Sequence, residues 1–405
     1  MAPGPELPFT LSVSDHALDE LHERLARTRL PDELVGAGWH YGVPLAHIRR
    51  LIERWRDSFD WRAAEREINN LPMFTRVLDV DGFGALDLHY VHQRSARPNA
   101  IPLLFVHGWP GSFLEVEKIL PLLTAPDDPA APAFHVIAPG IPGFGFSEAP
   151  HKPGFHFVQA AEIFHKLMIA LGYDQYVVQG GDLGRRVAQV SATNYAPAHV
   201  KAWHTNMPAP TGPPRLFSDP IGYLQHLVTP YTASEKAGIA RAKWFEETQR
   251  GYFMMHITKP QTLAYSLSDS PVGLLAWIYE KLVLWSDKYA WSDDEVLKWI
   301  SLYWLSRAGP GASTRIYFEY FAALELYQSA PPPIAPLGIS HFPKELAPLP
   351  SSWCQSLGKV VHESTHEHGG HFASHETPKE LVGDLRGMFG RGGPAYGVVA
   401  GADGY

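Results

Sequence analysis

The stretch Tyr176-Val177-Val178-Gln179-Gly180-Gly181-Asp182-Leu183-Gly184 joins a short apolar run to a helical segment, Arg185–Asn194, through closely spaced glycines. A strand that turns sharply into a helix strains the residue at the bend, and only small residues fit two positions before and after it. Gly180 and Gly184 stand at those two positions around Asp182. Taken alone, the pentapeptide reads more readily as a glycine turn whose aspartate caps the next helix. Its surroundings decide the matter.

Working outward, Ile101–Val106, Phe134–Ala138 and Lys201–Thr205 are further short apolar runs, separated by helical stretches. Strand and helix in alternation predict a mostly parallel sheet with crossover helices, its strands buried on both faces. From 208 to 330 the strand runs vanish into Trp-, Tyr- and Leu-rich helical sequence. After Pro331-Pro332-Pro333 two more strand-like runs follow, Leu337–Phe342 and Lys359–His362. An α/β core interrupted by a helical insertion and then resumed predicts a lid.

Upstream, Leu18, Leu21 and Leu25 recur at helical spacing after a candidate cap at Ser14, with Pro31 closing the run. A second helical stretch spans Leu45 to Trp61. Val77–Val80, the turn residues Asp81-Gly82, and the alternating Leu86–Val91 then predict a hairpin. The expected units are an N-terminal arm (1–95), a first core part (96–207), the lid (208–330) and a second core part (331–405).

Two loops fit the bend chemically. His107-Gly108-Trp109-Pro110-Gly111 follows the strand ending at Val106, on the sheet edge where ligands of open α/β sheets gather. The backbone N–H groups of Trp109 and Leu183 are the expected oxyanion hole. Gly369-Gly370-His371-Phe372 follows the last strand run and supplies a base, and Glu345, one strand earlier, supplies its acid partner. Asp182, Glu345 and His371 thus fall in the order nucleophile, acid, base.

At this point the chain resembles the microsomal-type epoxide hydrolases, including juvenile-hormone epoxide hydrolases and their soluble relatives, over nearly its whole length. The resemblance rests on Leu25-Ala26-Arg27-Thr28-Arg29-Leu30-Pro31, Trp39-His40-Tyr41-Gly42-Val43-Pro44, Phe59-Asp60-Trp61-Arg62, His107-Gly108-Trp109-Pro110-Gly111-Ser112-Phe113 and Gly369-Gly370-His371-Phe372-Ala373. It implies an α/β-hydrolase fold and hydrolysis of an apolar epoxide to a vicinal diol through an ester on Asp182. It further implies that two lid tyrosines, matching Tyr252 and Tyr317, activate the epoxide oxygen. One position departs from the pattern: Leu183 stands where the family usually has Trp, which alters the floor of the pocket.

The residue types suit that chemistry. Asp, with a reference pKa of about 3.9, is ionised at neutral pH and needs no base to attack. The leaving alkoxide needs a proton, which a phenol of pKa near 10 supplies. Water must then be activated to hydrolyse the ester, the task of an oriented imidazole.

Several features compete with this reading. His362, His366, His368, His371 and His375 form a run that invites a metal, but Phe372 stands where the helical zinc pattern needs Glu; no metal or cofactor is expected. Gly145-Phe146-Ser147-Glu148-Ala149 imitates a serine elbow but lies too early in the chain, and Asp174 and Glu319 read as surface carboxylates. A haloalkane dehalogenase also uses an elbow aspartate, yet Leu183 removes the indole donor that halide commonly needs. A serine esterase is disfavoured by Asp182. A receptor that kept the fold and lost turnover would show an eroded catalytic set, whereas this set is complete.

Composition narrows the partners. The formal net charge is −8, with no basic stripe, which excludes a nucleic-acid footprint. The single cysteine, Cys354, cannot form an intrachain disulfide. No apolar run reaches the ~20 residues that cross a bilayer, and the start lacks a leader pattern. The chain reads as soluble and cytoplasmic, with an epoxide and water as its partners. Peripheral membrane association and a homodimer are compatible with it.

Overall fold

The structure is a computed structural model that describes residues 4–217 and 220–405. Nine strands form one sheet: β1 (Leu7–Pro8), β2 (Met73–Val80), β3 (Gly84–Gln93), β4 (Ile101–Val106), β5 (Phe134–Pro139), β6 (Tyr176–Gly180), β7 (Val200–Thr205), β8 (Pro336–His341) and β9 (Lys359–Thr365). Their order is β1-β2-β3-β5-β4-β6-β7-β8-β9. The first three strands join antiparallel, and β5 through β9 run parallel. The strand runs read from the sequence are thus all present. The expected hairpin is longer at both ends, and β1 is an addition too short to carry a pattern.

Period-two alternation explains why the central strands look uniformly apolar. Leu104, Val106 and Val178 pack on one face of the sheet, and Leu103, Phe105 and Val177 on the other. Both faces are covered, so neither side of the strand can be polar.

The arm contributes α1 (Asp15–Ala26), α2 (Leu45–Asp57) and α3 (Trp61–Ile68). Ser14 caps α1, its side chain accepting from Ala17 N–H. The helix ends at Ala26, before Pro31 is reached, as the Arg27 N–H closes onto the Glu23 and Leu25 carbonyls. The stretch expected as one helix from Leu45 to Trp61 is two. Asp60 leaves the helical region and accepts from Ala63 N–H, capping α3 and forcing a break after Asp57. Leu21, Leu25, Ile48, Leu51 and Trp55 bury their apolar faces together with Val272 and Leu275 of the inserted helices. The ion pairs Arg50–Asp293 and Arg54–Asp294 lie over this contact. Largely exposed pairs of this kind are screened by solvent and add little, so apolar burial holds the arm down.

In the core, α4 (Phe157–Ala170) and α5 (Asp182–Tyr195) cover one face of the sheet. The segment between β7 and β8 carries a run of helices from Pro220–Val228 to Leu324–Ser329. Those that build the site are α6 (Gly251–Thr258), α7 (Pro271–Leu284), α8 (Asp293–Trp304) and α9 (Arg315–Ala322). On the far face lies α10 (Pro378–Phe389), whose Leu381 and Leu385 pack with Leu103 and Phe105 of β4. Among the described residues no helix is long and apolar enough to cross a membrane.

Candidate active site

Asp182 is the first residue of α5, at φ 47°, and carries the strain expected of the bend. The glycines around it are required by close approach. A Cβ on Gly184 would lie 2.0 Å from the Val106 carbonyl oxygen, and one on Gly180 would lie 2.3 Å from the Gly184 oxygen. Parallel pairing sets Val106 beside Gly180, so the loop that begins at His107 leaves the sheet next to the bend. Trp109 N–H donates to Asp182 Oδ1 at 2.8 Å, and Leu183 N–H donates to the same carboxylate.

The base arrives on the loop after β9. His371 Nε2 lies 3.8 Å from Asp182 Oδ2, and its Nδ1 pairs with Glu345 Oε1 at 2.6 Å. Glu345 follows β8, and the two loops are stitched by Lys344 N–H donating to the Gly369 carbonyl at 3.1 Å. Arg241 fixes the acid's backbone, donating to the carbonyls of Glu345 at 2.6 Å and Lys344 at 2.7 Å. Leu346 N–H donates to Glu345 Oε1 at 2.6 Å, which turns that oxygen toward the imidazole.

Above Asp182, the Tyr252 ring stacks on Trp109 at 5.0 Å and 9°, and Tyr317 meets Trp109 edge-on at 6.2 Å. The two tyrosine rings are 6.4 Å apart and nearly perpendicular. Both are buried. Tyr317 Oη is buried with no hydrogen-bond partner among the described residues. All seven residues expected at the site, Asp182, His371, Glu345, Tyr252, Tyr317, Trp109 and Leu183, therefore converge.

Electrostatics follow from burial in this cluster. Desolvation raises the Asp182 pKa, while the facing His371 and the Trp109 and Leu183 amides pull it back. Burial disfavours the His371 cation, but the charge and hydrogen bond of Glu345, then Asp182, outweigh it and push the imidazole up to about 9. Burial, reinforced by the Asp182 charge, holds both phenols well above their ordinary value, so each keeps its proton for donation.

Other sequence candidates fall elsewhere. Ser147 is buried, its hydroxyl donating to the Gly140 carbonyl at 2.8 Å and accepting from His89 N–H at 3.1 Å. The histidine run disperses: His366 pairs with Asp384, His368 with Glu380, and His375 with Glu295. Among the described residues no group of three or more His, Cys, Asp or Glu is placed to hold a metal ion. Asp174 is exposed and faces His199.

Three contributors escaped the sequence reading. Trp285 packs edge-on against the His371 ring at 5.0 Å, and its carbonyl accepts from His371 N–H at 2.9 Å. His256, one turn after Tyr252, lies 4.9 Å from the Tyr317 ring. Glu115 borders the same small cavity as Asp182 and His371. Its only signal is an acid inside the apolar run Phe113-Leu114-Glu115-Val116.

A family model described as epoxide hydrolase N terminus matches residues 6–116, and one described as alpha/beta hydrolase fold matches 101–290. Epoxide hydrolase 1 of Sus scrofa is 34% identical over 407 residues, covering 95% of this chain and 88% of the relative. The chain belongs to the epoxide hydrolase family. Among solved structures, the epoxide hydrolase of Aspergillus niger is 34% identical, with a TM-score of 0.81 over 94% of this chain and 95% of that one. Juvenile hormone epoxide hydrolase from Bombyx mori is 29% identical, with a TM-score of 0.85 over 94% and 93%. The arm is thus as much a part of this epoxide hydrolase framework as the sheet.

Proposed function

We propose that the chain hydrolyses an apolar epoxide to a vicinal diol in two covalent steps. Asp182 Oδ2 attacks an oxirane carbon, the carbon–oxygen bond breaks, and Tyr252 and Tyr317 hydrogen-bond to the leaving oxygen and protonate it. Water activated by His371 then attacks the Asp182 ester carbonyl. The Trp109 and Leu183 amides hold the tetrahedral oxyanion, and the released alkoxide takes the proton back from His371. Glu345 orients the imidazole and favours its charged form. The observation that carries this reading is the split environment of one carboxylate: Oδ1 held by Trp109 N–H at 2.8 Å, Oδ2 facing the imidazole at 3.8 Å.

The test is single-turnover hydrolysis in ¹⁸O-labelled water. The first diol should carry unlabelled oxygen from the protein, and label should then appear in the Asp182 peptide. Label in the first diol would mean direct attack by water and would reject the ester.

A pH consequence follows from the charges. In the resting site three anionic influences raise His371 to about 9, Asp182 among them. Esterification cancels the Asp182 charge, so the imidazole titrates lower and is more readily deprotonated to its base form. The proton it loses restores the phenol that protonated the alkoxide, and the Asp182 acid formed on ester cleavage returns a proton to the imidazole. Asp182→Asn imitates that neutral state. NMR titration should show the His371 pKa of this variant below that of the wild type; an equal or higher value would remove the switch from the scheme.

A further inference from the structure

On the core side of Asp182 lies a cavity of about 10 Å³, bordered by Gly108, Glu115, Asp182, Asn206, His371 and Ser374. A volume of roughly 10–15 Å³ open to water accommodates a single molecule, which needs two to four polar partners. The borders supply them. Apart from Asn206, directly after β7, its lining takes no residue from the segment between β7 and β8, so it sits opposite the two tyrosines.

We propose that this cavity seats the attacking water of the ester-hydrolysis step, and that Glu115 is the residue that holds it there. The inference rests on the covalent reading above. One O–H of the water points to His371 Nε2 and the other to a Glu115 carboxyl oxygen, which turns a lone pair toward Asp182 Cγ. As the bond from water oxygen to Cγ forms, the proton moves to Nε2. When the tetrahedral centre collapses, the bond from Cγ to the ester oxygen breaks, the diol leaves with that Asp182 oxygen and the proton from Nε2, and the remaining carboxylic acid gives its proton to the imidazole.

Glu115 is built for such a task and is costly otherwise. The backbone makes room for it: a Cβ on Gly111 would fall 1.6 Å from Oε1. The Ser374 hydroxyl touches the carboxyl, and Gly108 N–H reaches it only at 3.5 Å, so acceptor capacity remains unused. Burial, partly offset by the His371 charge, pushes its pKa up to about 8. A neutral carboxyl still offers its carbonyl oxygen to water, so the seat persists in either protonation state. An enclosed carboxyl whose acceptor capacity is only partly met is destabilising unless something uses it.

The test separates the two chemical steps. In Glu115→Leu, rapid-quench measurements should show ring opening within about twofold of wild type and ester hydrolysis slowed about 10–100-fold, the usual consequence of a misplaced reactant. Glu115→Gln retains an acceptor oxygen and should recover most of the hydrolysis rate. Equal loss in both steps, no loss, or a glutamine variant as slow as leucine would overturn the proposal. A high-resolution crystal structure of the wild type should show water within hydrogen-bond distance of Glu115 and His371 Nε2, and none there would overturn it too, whether or not the leucine variant folds. Failure of the covalent reading would look different, because no ester would form in any variant.

Discussion

After exposure to an epoxide, the His371→Gln protein is expected to carry a stable alkyl ester on Asp182, visible by mass spectrometry as the intact mass of the substrate added to that peptide. Turnover should fall by about 10²–10⁴, the usual worth of a positioned general base. The asymmetry comes from geometry. Ring opening uses Asp182 Oδ2 and the two phenols, none of which glutamine displaces, whereas ester hydrolysis needs a group that takes a proton. The acidic limb should also move. His371 is the leading charge that offsets desolvation of Asp182, so its loss raises the aspartate pKa further, and labelling in the variant should need a higher pH than ring opening in the wild type. Asp182→Ala serves as the control and should take up no label. An unmodified Asp182 peptide in His371→Gln at alkaline pH would sink the covalent scheme.

The elements that position this site could be read from residues because each carries a local constraint. Gly180 and Gly184 are forced by backbone approach, and the strand runs are uniformly apolar because both sheet faces are covered. What could not be read was decided by tertiary partners. Asp60 has the composition of a helix interior's polar face, yet its side chain caps α3 and splits the run. Trp285 acts on His371 through its backbone carbonyl, to which side-chain identity is no guide. Glu115 looks like a solvated acid until Gly111 and Ser374 are known to enclose it. Tyr252 and Tyr317 came only through likeness to a family, since an aromatic in an apolar helix has no spacing that separates donor from packing. The large groove between the arm and the inserted helices, bordered by Arg24, Leu30, Leu45 and Val272, contains none of the site residues. Size alone would have pointed away from the chemistry.

Removing both phenolic hydroxyls, in Tyr252→Phe with Tyr317→Phe, should depress the ring-opening rate by about 10³-fold or more, given 10²–10⁴ for loss of a general acid. The alkoxide that forms on opening is about as basic as hydroxide (bulk water has a pKa of about 15.7). Among the described residues the other side-chain N–H groups flanking Trp109 belong to Trp285, an indole that can donate a hydrogen bond but does not give up its proton, and to His256. That ring accepts at Nε2 from Trp277 Nε1–H at 3.2 Å, and burial holds it neutral with a pKa of about 3, so it has no acidic proton to lend. Each single variant should lose less than the double, because the partner hydroxyl still reaches the same oxygen. Stability provides the control. Tyr317 Oη is a buried polar atom without a partner, so trading it for hydrogen removes a desolvated group and sacrifices no hydrogen bond. Thermal denaturation of Tyr317→Phe should therefore show an unchanged or higher Tm alongside slower ring opening. A double variant that opens the ring at the wild-type rate would take the tyrosines out of the mechanism, and a Tm that falls in step with activity would make Tyr317 a packing residue.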